Sequence, residues 1–377
     1  MWELQTPKII VNGRGSIKSI TSLMSRLDIT RPLVIIDPEV KLTKFGNVFS
    51  KLLAEYPCLF FSEFSTNPTV SQINCCLHNY DLSLYDGVVS IGGGSAIDLA
   101  KSVNLVVSHG GTIEDYLNGK TVNGKLKPSI AIPTTCGAGA ESSPYAVITD
   151  TRVPQKRGIG SLYLVPDAVL LDANSLNSLS RLMIAATGID SLTHVLESHI
   201  SKKATSLTQI SSRGLLLSFG MSLEKAIFEK NNAALENLHD LAFTARLLYP
   251  RTGLSIAHAL SHPVGAHTNL HHGMAVALCL ISSLRFNKAC CSDVFDEAEE
   301  VLGLTRRKLS LLDWIAEILN ESGITSYLAQ HLSKNKLPLE RIAEDSLRSS
   351  NIASNPRSVD RHDTLNIIAE SLEQLHK

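Results

Sequence analysis

The feature that most limits the fold of this chain is a change of periodicity near residue 180. Before it, short runs of Val, Ile and Leu recur at strand length: KIIV at 8–11, PLVII at 32–36, CLFF at 58–61, GVVSI at 87–91, SIAI at 129–132 and, last, VPDAVLL at 165–171. Between them lie longer stretches with helical spacing, among them SIKSITSLMSRL, VSQINCCLHNYDLSLY and SAIDLAKSVNLVV. Alternating strand and helix predicts a parallel sheet wrapped by helices on both faces. From about Ser180 onward the pattern is almost wholly helical, as in SRLMIAATGIDSLTHVLESHI and SLTQISSRGLLLSFGMSLEKAIF. The expectation is an α/β domain over 1–178 and an all-helical domain over 179–377. No repeat or low-complexity linker separates them, so a cleft between the two is the expected ligand site.

Composition narrows the class. A chain of 377 residues, 44% hydrophobic, is long enough for two cores. Lys plus Arg (35) nearly balances Asp plus Glu (36), a net charge of −1. That gives no electrostatic reason to expect nucleic acid or an anionic membrane surface as partner. No run reaches the roughly 18 to 20 apolar residues of a membrane helix, and the N-terminus lacks the regions of a signal peptide. The seven cysteines are odd in number and contain no C-x-x-C. A reduced, cytoplasmic protein is expected, with its cysteines acting as small core hydrophobes.

Two polar turns follow buried-strand patterns. In SIGGGSAIDLAK (90–101) the strand GVVSI runs into Gly92, Gly93 and Gly94, and a helix begins near Ser95. Glycines let backbone N–H groups approach a phosphate, and a helix N-terminus carries roughly half a positive charge. Ser95 either caps that helix or donates its hydroxyl to the phosphate. The bland alternative is a tight strand-to-helix turn, since the run is neither a Walker loop nor a clean G-x-G-x-x-G. The second turn, IPTTCGAGAESSPYAVIT (132–149), offers Thr134, Thr135, Gly137 and Gly139. Both turns sit at the carboxyl ends of predicted parallel strands, where open α/β sheets bind nucleotides. Asp37 ends the strand PLVIID. An acid there accepts from a ribose 2′-hydroxyl and repels a 2′-phosphate, favouring NAD(H) over NADP(H); the alternative is an Asp that starts a turn before Pro38.

Asp190 and His194 are four apart in the helix predicted over 181–199, hence on one face. Carboxylate oxygen with imidazole nitrogen suits Zn²⁺ or Fe²⁺, though such a pair by itself is commonly a helix-surface hydrogen bond. The stretch GLSIAHALSHPVGAHTNLHHGM (253–274) holds five of the chain's thirteen histidines: His258, His262, His267, His271 and His272. His258 and His262 are also four apart. Pro263 is expected to end or kink their helix, and a loop containing Gly265 and Asn269 is expected before His271. Asp190, His194 and two of these histidines would make a four-ligand site.

Taken together, these motifs resemble the iron-dependent (group III) alcohol dehydrogenases of the dehydroquinate synthase-like superfamily, along nearly the whole chain. The family's GGGS-x-x-D-x-AK is similar to Gly92–Lys101, its PTT-x-GTG-S-E to Pro133–Glu141, and its TGMDALTHAIE to Thr187–Glu197. Its HALAHPLG resembles His258–Gly265, the later HG resembles His272-Gly273, and an Asn-Pro-Arg recurs at 355–357. The resemblance implies a Rossmann-like dinucleotide-binding domain and a helical metal-binding domain with metal and cofactor in the cleft. It implies Asp190, His194, His258 and His272 as metal ligands, and His262 as a non-ligand histidine near the substrate, for proton relay or orientation. It implies cofactor contacts from Asp37, Gly93, Gly94, Ser95, Asp98, Thr134, Thr135 and Gly137. His267 and His271 match no ligand position.

The implied activity is metal-dependent, NAD(P)-linked interconversion of a small primary alcohol and an aldehyde, in a homodimer or larger homo-oligomer. The family often uses Fe²⁺ and some members Zn²⁺; three histidines and one carboxylate do not choose between them. The chain departs from the pattern where GTGSE reads GAGAE, with Ala138 and Ala140 in place of two hydroxyl residues. Arg251 is a second oddity. It either grips an anionic substrate, as in the family's branch for phosphonoacetaldehyde or acidic sugars, or ties down a helix end or an oligomer contact. The alternatives are a dehydroquinate synthase-like or glycerol dehydrogenase-like enzyme of the same superfamily, and a non-catalytic relative.

Overall fold

The computed structural model describes residues 4–150, 152, 155–333 and 337–376. Eight strands lie in the first half: β1 (Ile9–Asn12), β2 (Pro32–Ile36), β3 (Leu59–Phe61), β4 (Gly87–Gly92), β5 (Ser129–Pro133), β6 (Tyr145–Asp150), β7 (Gln155–Gly160) and β8 (Ala168–Leu171). Six of them form one sheet in the order β1-β8-β5-β4-β2-β3, with every pairing parallel. Each run expected to be a strand is one, within a residue or two except at the start of the last. β6 and β7 form a separate antiparallel hairpin; the polar turn expected over 132–149 takes in most of β6, and no element was expected at β7.

The near-continuous apolar strands are explained by burial on both faces. Val34, Ile36, Val89, Ile91, Ile130 and Ile132 pack on one side with the helices Ile20–Arg26 and Lys44–Leu52. Their neighbours Leu33, Ile35 and Val88 face the other side, against the helix Val70–Asn79, helix α1 (Gly94–His109) and the hairpin. Period-two alternation sends successive side chains to opposite faces, and both faces are covered.

The order of strands reverses between β2 and β4, and the polar turns gather there. The Asp37 N–H donates to Ile91 O (2.9 Å), and the Thr134 N–H donates to Gly92 O (3.0 Å). Backbones run so close that a Cβ on Gly92 would meet the Ala96 Cβ at 2.6 Å and the Asp37 Cβ at 2.8 Å. Only glycine fits.

Lys101 holds the hairpin to α1. Its side chain is buried, and Nζ donates to Ala140 O (2.6 Å), Ser143 O (2.6 Å) and Tyr145 O (2.9 Å). Asp98, one turn earlier, accepts from the Val147 N–H (3.2 Å). A buried ammonium is tolerated here because its three hydrogens all find carbonyls.

The second half is helical. Helix α2 (Arg181–Ile200) is buried from Ile184 to its end, and helix α3 (Ile256–Thr268) and helix α4 (His272–Lys288) pack against each other. Helix α3 does not stop at Pro263. It runs on through Gly265 to Thr268 and ends at Asn269, whose φ is 54°. Its buried face, from Ile256 to Ser261 and again at Val264 and Gly265, outweighs the helix-breaking tendencies of Pro and Gly. The chain separates into two compact units. One comprises residues up to Thr135 with Gly139–Ser178, and the other Cys136–Ala138 with Leu179–Lys377. All seven cysteines are free thiols, and burial pushes Cys136 up to about 12. Among the described residues no helix is long and apolar enough to cross a membrane.

Replacing Lys101 with Met leaves buried carbonyls without a donor. Lys101→Met is expected to lower the unfolding free energy by about 2–4 kcal/mol, measured by urea unfolding; a loss under about 0.5 kcal/mol would show that the ammonium does not hold the hairpin.

Candidate functional site

In the first unit, the N-terminus of α1 forms a cradle of half-buried backbone. Gly93 occupies the N-cap with no side-chain cap bond, so Ser95 is not the cap. The Ser95 hydroxyl instead accepts from the Asn67 N–H (3.2 Å), which leaves its hydrogen as a donor. Gly93, Gly94 and Ser95 are half-buried rather than covered. Thr135 lies beside them: a Cβ on Gly93 would come 3.2 Å from its Cγ2. Open N–H groups at the start of a sixteen-residue helix suit an anion. Asp37 caps the short helix Pro38–Lys41, its Oδ1 accepting from the N–H groups of Glu39 (2.9 Å) and Val40 (3.3 Å). It starts a turn with one oxygen, and among the described residues no group bonds Oδ2.

A Cβ on Gly137 would lie 3.0 Å from Asp190 Oδ2 and 3.1 Å from Thr187 O, so this glycine lets the chain pass close to α2.

The second unit gathers imidazoles around one carboxylate. Asp190 and His194 project from the same face of α2, and His258 from the first turn of α3. One candidate donor atom from each of the three lies within 4.8 Å of the others. His258 Nε2 is 3.4 Å from Asp190 Oδ1, and His272 Nε2, at the start of α4, is 3.6 Å from the same oxygen. The ring centroids of His194 and His258 are 4.6 Å apart, and those of His258 and His272 5.6 Å. His262 joins the edge of this group, 5.4 Å from His272 and 6.4 Å from His258 by centroids.

The electrostatics call for a positive charge. Burial raises the Asp190 carboxyl, but the fields of His272 and His194 and the bond to His258 hold it well below the usual carboxylate range. Burial drives His194 down to about 3. Burial also lowers His258, yet Glu197 and Asp190 carry it up to about 9. Asp190 Oδ1 and His258 Nε2 are both buried and lack a hydrogen bond of good geometry. Nitrogen and oxygen donors converging on one buried point fit a divalent transition metal.

The other histidines have different roles. His271 is the N-cap of α4, its Nδ1 accepting from the Gly273 N–H (3.2 Å). His267 is half-buried in the last turn of α3 and makes no ring contact with the cluster among the described residues.

Two residues around the cluster had no assigned part in the sequence reading. Glu197 is 1% exposed; its Oε2 lies 2.6 Å from His258 Nδ1 and accepts from the Ser255 N–H (2.9 Å), while Oε1 accepts from the Ala257 N–H (3.0 Å). Asn355 accepts from the Ile256 N–H (3.2 Å) and exchanges two bonds of 2.9 Å with Asn287. The only signal for either was membership in a matched motif, Thr187–Glu197 or Asn355–Arg357.

Comparison with known proteins agrees with this geometry. The family model "Iron-containing alcohol dehydrogenase" matches residues 7–173, and "Fe-containing alcohol dehydrogenase family, C-terminal" matches 184–372. The probable alcohol dehydrogenase EutG of Salmonella typhimurium is 31% identical over 309 residues, 80% of this chain and 77% of that protein. The NAD-dependent methanol dehydrogenase of Bacillus methanolicus is 26% identical over 376 residues, 97% and 98% of the two chains. The crystal structure of a 1,3-propanediol oxidoreductase superposes with a TM-score of 0.90 at 24% identity, covering 98% of this chain and 100% of that one. The chain belongs to the iron-containing alcohol dehydrogenase family and is an oxidoreductase of that kind.

Proposed function

We propose that the protein interconverts a small primary alcohol and its aldehyde, using NAD(H) and a divalent ion, Fe²⁺, held by Asp190, His194, His258 and His272. The observation that carries this reading is the convergence of three imidazoles on one buried, strongly acidic carboxylate. The cradle at Gly93, Gly94 and Ser95, with Thr134 and Thr135 beside it, is the proposed seat of the cofactor's phosphates. Asp37 Oδ2 is the proposed acceptor for a ribose hydroxyl. NAD is supported by that acid and by the NAD-dependent methanol dehydrogenase among the relatives.

When bound, the ion supplies Lewis acidity at the substrate oxygen and the nicotinamide carries the hydride. The chain's own residues do the rest. Asp190 and His194 hold a fixed pair of donors on a buried helix that cannot move without breaking its packing. His262, beside the ligand cluster but outside it, is the proposed proton carrier between the substrate oxygen and solvent. Arg251 is the proposed determinant should anionic aldehydes be preferred. A homodimer or larger assembly is the proposed oligomeric state, tested by light scattering.

The direct test is NADH oxidation by the Fe²⁺- or Zn²⁺-loaded protein against short neutral and anionic aldehydes. Turnover with at least one aldehyde is expected; the absence of net NADH consumption across the panel would favour a dehydroquinate synthase-like lyase, whose cofactor is not consumed. His258→Ala and His272→Ala are expected to lose bound metal, measured by mass spectrometry, together with about 10³-fold in kcat/KM. Should His267→Ala remove metal while His258→Ala keeps it, the ligand assignment is wrong.

His262→Ala is expected to keep its metal and lose about 10²–10⁴-fold in kcat, whereas loss of metal would make it a ligand. Asp37→Ser keeps a helix cap but removes the charge. It is expected to narrow the preference for NADH over NADPH in kcat/KM, and an unchanged ratio would exclude a ribose contact.

A further inference from the structure

We propose that Glu197 is a positioning residue for the metal centre: its carboxylate fixes the hydrogen of His258 on Nδ1 and so aims the Nε2 lone pair at the ion. The proposal rests on the reading of His258 as a ligand.

The argument is one of donors and acceptors. Two backbone donors meet the two oxygens of Glu197, the Ser255 N–H at Oε2 and the Ala257 N–H at Oε1, and His258 Nδ1 lies 2.6 Å from Oε2. The two amides can only donate to this carboxyl group, and an oxygen that accepts from the Ser255 N–H has a second lone pair free to accept a hydrogen from Nδ1. The proposal places the hydrogen of this pair on Nδ1, 2.6 Å from Oε2. A neutral imidazole has one N–H, so Nε2 then presents its lone pair, and Nε2 is the atom 3.4 Å from Asp190 Oδ1. Carboxylate–histidine pairs of this kind orient metal-bound imidazoles, and losing the partner typically costs 10–100-fold in metal affinity.

Placement strengthens the case. Glu197 lies seven residues after Asp190 and three after His194 on α2, so one buried helix carries two proposed ligands and the group that aims a third. Glu197 also anchors the first turn of α3 immediately before His258, and Asn355 takes the amide between its two. The ring is thus held both at its own nitrogen and through the backbone beneath it. A purely structural part for Glu197, as a helix cap, would act on folding alone and leave metal affinity in the folded protein unchanged.

The test uses the full-length protein, with Co²⁺ as probe and a competing chelator, well below the unfolding temperature. Glu197→Gln turns an N–H₂ toward at least one of the three nitrogens. It is expected to weaken Co²⁺ binding 10–100-fold and to shift the visible d–d absorption of the bound ion. Wild-type affinity with an unchanged spectrum would overturn the proposal. A measurement on the wild type keeps it testable if the variant fails to fold: ¹⁵N-histidine NMR of the Zn²⁺-loaded protein, with His258 assigned through His258→Gln. A hydrogen on Nδ1 is expected, and a hydrogen on Nε2 would overturn the proposal. Asp190→Asn and His258→Ala separate the two levels. If both bind Co²⁺ as tightly as wild type, the ligand reading itself fails. If both lose Co²⁺ while Glu197→Gln keeps it unchanged, only the role of Glu197 fails.

Discussion

A buried carboxylate that meets three nitrogens organises the centre of the helical unit. Removing ionised groups from water costs several kcal/mol each unless partners replace the lost hydration. Helix α2 nevertheless buries Asp190, His194, Glu197 and His199 along its length. Glu197 is satisfied by the start of α3 and by His258, while Asp190 faces His258 and His272. Apolar residues of the same volume would often give a core of equal or greater stability. Asp190 and His194 converge with His258, Glu197 holds the far side of that ring, and His199 turns instead to Ser212 and Glu297.

The parallel-sheet unit meets a different constraint, the approach of backbones at the strand ends. Gly92 leaves no room for a Cβ, so β2, β4 and β5 can bring Asp37, the glycine turn and the Thr134-Thr135 turn together. The helix that follows starts without a side-chain cap. In most helices a Ser, Thr, Asp or Asn at the N-cap satisfies these amides; here no side chain at the N-cap does so. The lysine in the same motif has a structural part, since Lys101 reaches away to bind the hairpin.

Much of the fold was legible because it depends on local periodicity. Apolar runs of four or five residues marked the parallel strands, and 3.6-residue spacing marked the long helices. The hairpin β6–β7 was not legible, because its first strand follows a glycine-rich turn and the whole segment reads as polar loop. The extent of α3 was misjudged for the opposite reason. Pro263 and Gly265 are local helix breakers, and the burial that overrides them comes from packing remote in sequence.

The sequence by itself determined that Asp190 and His194 share a helix face, because that follows from helix geometry alone. It could not rank His258 above His262, since both sit at the same spacing within one helix; the resemblance to a family ranked them. Tertiary structure gives the two imidazoles different surroundings. His258 Nε2 reaches Asp190 because Glu197, sixty-one residues earlier in the chain, holds the opposite nitrogen. His262 has rotated to the rim, and His271 has turned its Nδ1 to a helix cap. A histidine's chemistry is set by what faces each of its two nitrogens, and those partners come from parts of the chain that only folding brings together.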